Sequence, residues 1–335
     1  MDLGKTKRLL AARASELRRK RIGVVYGPKS EEDAFYIANS PPAQLGISSI
    51  KSAMNGLVFD WKICDPASPS FINALQEIEI AFLAVHGEYC EDGRLQGLLD
   101  YLSIPYTGSG VLASAIGLNK VAFKRIMLGH NLPTPDFKVL ENDLDLRSQL
   151  ESMLTEIEPP WLAKPISGGS SIGIGILESV EEAVSFLEKP DNREKSYFIE
   201  RIVPGRSVTV GILELVGESV ALPALEVETS SLIYDQETKL GRDHNTKPKY
   251  YIPPRVEASI IEDVQKRALE VHSLIGARGF SRLDFIIGRH DDINILEINT
   301  LPGLSMDGNY ANAARAFGLE YEELIVAIAD TARPR

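Results

Sequence analysis

Cysteine is nearly absent: the 335 residues contain only Cys64 and Cys90, far apart and outside any CxxC pattern. That scarcity excludes a disulfide scaffold and a cysteine-based zinc site, and it fits a reducing, cytoplasmic compartment. Both thiols are expected to be buried and free. No apolar run approaches the ~18–20 residues that span a bilayer. Positive charge is in deficit as well, with 36 Lys and Arg against 47 Asp and Glu, a formal net charge of −11. Nucleic-acid and anionic-membrane binding both need clustered basic surface, so neither is expected. A local basic pocket for phosphates stays open. The first apolar strand lacks the GxGxxG of a dinucleotide site, and the main glycine-rich loop is not followed by the Gly-Lys-Ser/Thr of a Walker motif.

What is present is an ordinary globular composition, 44% apolar and 25% charged, in a chain long enough for two or three modules. The basic segment Lys5–Arg21 carries a weak helical stripe of Leu10, Ala14 and Leu17 and is expected to cover the first strand. IGVVYG, LVFDWKIC and IEIAFLAVHG read as strands of a parallel α/β sheet. Loops after such strands are where α/β proteins place ligands. Glu31, Glu32 and Asp33 follow the first strand, and His86 ends the third. Two prolines in NLPTPDFKVL mark a module boundary near residue 132.

The most informative stretch is SRLDFIIGRHDDINILEINTLPG, Ser281–Gly303. It reads as two strands, Ser281–Ile287 and Ile293–Asn299, around the turn GRHDD. The hairpin is expected to set Asp284 opposite Glu297 and Arg282 opposite Asn299. Alternation puts these four on one face, with Leu283, Phe285, Ile287, Leu296 and Ile298 on the core face. Facing carboxylates weaken a sheet unless a cation sits between them. With an Asn oxygen nearby, the set suits Mg2+ completed by substrate phosphates. The plainer alternative is a solvated polar face; the metal reading is preferred.

In WLAKPISGGSSIGIGIL, Lys164 on a strand precedes a loop containing Ser170 and Ser171. Such a loop offers backbone N–H groups to an anion, although flexible hairpin loops share the composition. Glu200 closes the strand SYFIE, and its apolar neighbours Ile199, Ile202 and Val203 suggest a strand edge beside a nucleotide base. The long polar region SLIYDQETKLGRDHNTKPKYYIPP reads as a functional lid or a disordered segment and carries Lys239. Lys120 lies on a helix-period run from Val111 and is solvated by default.

In chain order, HGEYCEDGRLQG, PYTGSGVLASA, KPISGGSSIG and RLDF…EINTLPG resemble the D-alanine–D-alanine ligases of the ATP-grasp superfamily, from about Gly23 to Ala329. The resemblance implies an α/β ATP-grasp fold: an N-terminal parallel-sheet domain, residues 1–107, then central and C-terminal domains, residues 108–200 and 201–335, clasping ATP. By the same resemblance Lys120 and Lys164 contact phosphates, Glu200 the adenine region, and Ser170 and Ser171 lie in the flap. Lys239 sits near the γ-phosphate, and Asp284, Glu297 and Asn299 hold two Mg2+ ions. Glu31 binds the first amino acid's ammonium, with His86 near the second; Arg282 and the Gly303 N–H face the developing oxyanion.

The sequence departs from the family pattern at Ser207, usually Glu, and at Leu240, usually Tyr. The position of a family Ser near the second carboxylate is Gly308, between Asp307 and Asn309, so an altered acceptor pocket is expected there. The implied activity is ATP-dependent joining of an amino-acid-like acid to an amine through an acyl phosphate. Attachment of a Ser- or Thr-like amino acid to a mycosporine core, and nucleotide binding without turnover, are the alternatives. A homodimer is a further implication.

Overall fold

The computed structural model describes residues 2–40, 45–85, 87–141, 143–168, 173–229 and 248–333. The N-terminal apolar runs form a parallel sheet of β1 (Arg21–Val25), β2 (Asp60–Cys64) and β3 (Ile80–Leu83), ordered β2-β1-β3. Parallel neighbours need crossovers, which include the helices Gly46–Gly56 and Phe71–Gln76. Ile22, Val24 and Phe82 are fully buried, as expected of strands covered on both faces.

The basic N-terminal segment forms the helix Leu3–Leu17 and buries Leu10, Ala14 and Leu17. Its main neighbour is the C-terminal helix Tyr321–Asp330, however, and not the first strand. That C-terminal helix is apolar nearly all round, burying Leu324 through Ala329, so it needs cover on every side. Lys7–Glu323 at 2.9 Å and Arg13–Asp330 at 3.3 Å fasten the pair.

The second sheet is antiparallel: β4 (Phe137–Val139), β5 (Trp161–Pro165), β6 (Gly175–Leu177) and β7 (Tyr197–Arg201), ordered β4-β7-β5-β6. The strand bearing Glu200 is therefore interior and not an edge. The short β4 pairs with it, Phe137 opposite Glu200, and a three-residue strand after two prolines leaves little trace of period two.

The third sheet comprises β8 (Gly205–Leu215), β9 (Glu218–Ala221), β10 (Leu225–Glu228), β11 (Lys249–Tyr251), β12 (Phe280–Gly288) and β13 (Ile293–Asn299). Its order is β11-β10-β8-β12-β13, with β9 pairing β8. Val208, Val210, Leu283 and Phe285 bury their side chains against Val264, Ala268 and Val271 of the helix Ala258–Leu274. Phe123 and Met127 of the helix Lys120–Gly129 join the same core. The opposite face of the sheet is left to line a cleft.

The expected pairs form, Arg282 opposite Asn299 and Asp284 opposite Glu297, but they depend on a register shift between Asp284 and Phe285: the turn itself pairs Ile287 with Ile293 and Phe285 with Ile295, and without the shift Asp284 would face Leu296. Leu296 is left as the extra residue and lines the cleft instead of the core. A bulge inserts one residue and re-aims the strand beyond it, so Ile295, fully buried, takes the core position assigned to Leu296.

At Gly205 of β8 an added Cβ would lie 2.1 Å from the Ile287 carbonyl oxygen of β12. Backbone cannot yield as a side chain can. Gly205→Ala is expected to cost about 1–3 kcal/mol through overpacking, read as a lower urea midpoint; an unchanged midpoint would refute the close approach. Among the described residues, no helix is long and apolar enough to cross a membrane.

Candidate active site

A cleft of about 570 Å³ separates the second and third sheets. Its third-sheet wall carries Arg282 and Asp284 from β12, and Glu297 and Asn299 from β13. Pairing in register puts all four on the cleft face, the consequence of a two-residue side-chain period. Arg282 donates from Nε to Asp284 Oδ1 at 2.9 Å and from Nη2 to Oδ2 at 2.8 Å. Asn299 Nδ2 donates to Asp284 Oδ2 at 3.1 Å. The acidic hairpin is thus a connected polar network, held from behind by buried Leu283, Phe285 and Ile298.

The facing wall supplies the lysines. Asn119 caps the helix Lys120–Gly129 by accepting from the Ala122 N–H at 2.9 Å. The Lys120 N–H donates to the Ile166 carbonyl at 2.9 Å, pinning that helix start to the end of β5. Lys120 Nζ donates to the Gly168 carbonyl at 2.6 Å and lies 3.9 Å from Glu297 Oε2. Lys120 therefore spans the cleft from loop to hairpin instead of pointing into solvent.

Lys164 on β5 forms a short ion pair with Glu200 Oε1. Glu200 Oε2 lies 2.7 Å from Lys124 Nζ, with Lys124 wholly buried. Burial by itself pushes the Glu200 carboxyl up; the ammonium groups of Lys164 and Lys124 outweigh that and hold it below the usual range. Lys124 also donates to Thr134 Oγ1 and, at 3.2 Å, to the Pro135 carbonyl. Burial pushes Lys124 below the usual lysine range, opposed by the Glu200 carboxylate 2.7 Å away. The sequence motifs do not single out Lys124. The available signal is its spacing of four from Lys120, which stacks both lysines on one helix face.

The expected site residues divide between two cavities. Lys120, Lys164, Glu200, Arg282, Asp284, Glu297, Asn299 and Asn309 line the large cleft, together with Ser207 and Leu296. Gly303 instead lines a small cavity of about 60 Å³, with Tyr26, Asp33 and Leu304, so Arg282 and Gly303 do not share a wall. An added Cβ at Gly303 would meet nothing within 4 Å, so the space beside it is open. Asp307 is exposed, and neither it nor Gly308 lines these cavities; Asn309 begins the helix Asn309–Phe317.

Glu31 heads the helix Glu31–Asn39, but its side chain lies outside the described residues, as do His86, Ser170, Ser171, Lys239 and Leu240. Asp33 plays a structural part. Its carboxylate accepts from the Ser30 N–H at 3.3 Å while the Ser30 hydroxyl accepts from the Asp33 N–H at 3.1 Å. This reciprocal capping closes the turn that carries Glu31.

The donor chemistry of the hairpin suits a divalent ion only in part. Among the described residues, no group of three or more His, Cys, Asp or Glu could hold a metal by itself. Two facing carboxylates and an amide instead provide hard oxygens on one side only, which fits Mg2+ sharing its shell with water and phosphate oxygens.

Known proteins resemble this chain in sequence and in fold. The D-ala D-ala ligase C-terminus family matches residues 126–330, and the D-ala D-ala ligase N-terminus family matches residues 50–109. A D-alanine–D-alanine ligase of Pelotomaculum thermopropionicum is 36% identical over 261 residues, covering 77% of this chain and 81% of that protein. One from Chromohalobacter salexigens is 35% identical over 321 residues, covering 95% and 96%. The crystal structure of the Bacillus anthracis D-alanine–D-alanine ligase complexed with ATP superposes with a TM-score of 0.75 at 26% identity, covering 93% of this chain and 97% of that one. With both halves matched, and with relatives above 30% identity along most of its length, this ATP-grasp chain belongs to the D-alanine–D-alanine ligase family.

Proposed function

We propose that the protein is an ATP-dependent carboxylate–amine ligase acting on small amino-acid-like substrates. The observation that carries this reading is the cleft itself, where an acidic hairpin faces Lys120 and Lys164 across a space of about 570 Å³. Phosphoryl transfer needs positioning and charge neutralisation more than covalent help. The donor's carboxylate oxygen attacks the γ-phosphorus of ATP, the bond to the β–γ bridging oxygen breaks, and ADP leaves. The acceptor amine then attacks the acyl carbon, and phosphate departs with the bonding pair.

Lys120 and Lys164 hold ammonium charge against the phosphates, and Glu200 sets the polar edge of the adenine pocket. Asp284, Glu297 and Asn299 would hold two Mg2+ ions, which supply charge neutralisation at the transferring group. Arg282 offers N–H donors to the tetrahedral oxyanion. Glu31, capped into place by Ser30 and Asp33, binds the donor's ammonium, with His86 nearby. Ser170, Ser171 and Lys239 would supply hydroxyl and ammonium donors to the phosphates. On the acceptor side Asn309 reaches the cleft, with Asp307 and Gly308 just before it in the chain.

Residues 1–107, 108–200 and 201–335 would be the three modules, in a cytoplasmic homodimer. The relatives make D-alanine the first substrate to test. ADP release measured over a panel of D-Ala, D-Ser, L-Ser and L-Thr, singly and in pairs, is expected to rise several-fold above background with at least one pair and to require Mg2+. A flat response over the whole panel would overturn the ligase reading.

A further inference from the structure

Lys124, Glu200 and Lys164 form a line running from the core to the cleft. At its inner end Lys124 is sealed: fully buried, with three acceptors within 3.2 Å and its Nζ 5.1 Å from the centre of the Phe137 ring. At its outer end Lys164 is 13% exposed and lines the cleft. One carboxylate between two ammonium groups leaves one positive charge uncompensated. Because Lys124 is closed off from the cleft, that surplus is presented at Lys164.

A buried ion pair is by itself weak support for stability, since apolar replacements of similar volume are often neutral or better. Phe137 and Phe198 pack edge to face beside this pair, 6.0 Å apart, so an apolar substitute would find apolar company. What an apolar substitute could not do is balance Glu200.

We infer that Lys124 is a positioning residue of the nucleotide site: by neutralising Glu200 from behind, it keeps the Lys164 ammonium available to an anionic group in the cleft. Without Lys124, Glu200 and Lys164 cancel each other, and the cleft loses one positive charge at the point where β5 runs into its glycine-rich loop. The Glu200 carboxylate stays an acceptor for a base edge in either case, because Lys164 still pairs with it. Phosphate affinity and base affinity are thereby set by different partners of one carboxylate. The inference rests on the proposed nucleotide site.

The deciding experiment is calorimetric titration of inorganic tripolyphosphate, ADP and adenosine into the full chain with Mg2+. Lys124→Met is expected to weaken tripolyphosphate and ADP about tenfold, the scale of one nearby charge, with adenosine unchanged. Lys124→Arg keeps the charge and is expected to restore wild-type binding. Glu200→Gln releases Lys164 and is expected to tighten tripolyphosphate, as is adding Glu200→Gln to Lys124→Met. A cooperatively melting Lys124→Met protein that binds tripolyphosphate like the wild type, or that loses adenosine equally, overturns the inference. Should Lys124→Met fail to fold, Lys124→Gln, which keeps a donor for Thr134 and the Pro135 carbonyl, decides: tripolyphosphate bound as by the wild type overturns it. Wild-type protein that binds no ADP overturns the nucleotide reading, and this inference with it.

Discussion

Replacing Glu297 by Gln is expected to lower ADP release about 10³-fold while leaving the melting transition in place. Glu297 faces Asp284 across β12–β13, and its side chain is 32% exposed at the cleft. Its charge is therefore not needed by the core, which Leu283, Phe285 and Ile298 form on the opposite face. Glutamine keeps the shape and an oxygen but removes one negative charge from the proposed Mg2+ site. A metal contributes several kcal/mol of charge stabilisation to phosphoryl transfer, and each 1.36 kcal/mol is tenfold in rate. Coupled measurement of ADP release over a range of Mg2+ concentrations, beside a thermal melt, checks both halves. Turnover at the wild-type level would remove the hairpin from the mechanism.

Glu200→Ala is expected to be the most destabilising single change at the site, by about 3–5 kcal/mol, because it strands a buried ammonium. Lys124 would keep Thr134 and the Pro135 carbonyl but lose its counter-ion in a place that water does not reach. Lys164 would suffer less, being at the cleft surface. The sign of the acid dependence comes from the depressed Glu200 carboxyl. A group held below its unfolded value stabilises the fold above the unfolded carboxyl range, and that contribution is lost as pH falls through the folded value. The gap in urea stability between wild type and Glu200→Ala should therefore be full at neutral pH and close in strong acid. A difference under about 1 kcal/mol at neutral pH would mean that Lys124 is not held by this pair.

Much of the site is legible in the sequence, and the reason is periodicity. Strand side chains alternate, so Arg282 and Asp284 share a face of one strand and Glu297 and Asn299 a face of the next, but the turn pairs Ile287 with Ile293 and only the bulge beyond Phe285 brings Asp284 against Glu297. The same logic misassigns Leu296, because a bulge breaks the alternation at one residue and no composition cue marks it. Glu200 stands out in the sequence but reads as lying on a strand edge, since the partner strand Phe137–Val139 is too short to announce itself. Lys120 reads as a solvated helical lysine; the carbonyl of Gly168 and the carboxylate of Glu297 are its surroundings only after two sheets face each other.

Local sequence accounts for the N-terminal strands and for the two strands of the acidic hairpin, because each depends on neighbours along one or two strands. Long-range packing settles that the basic N-terminal helix rests on the C-terminal one, that Glu200 is buried between two lysines, and that Gly303 and Arg282 line separate cavities. Burial and ion pairing are set by groups far apart in the chain, and the energy of a charge depends on the dielectric that those groups create around it.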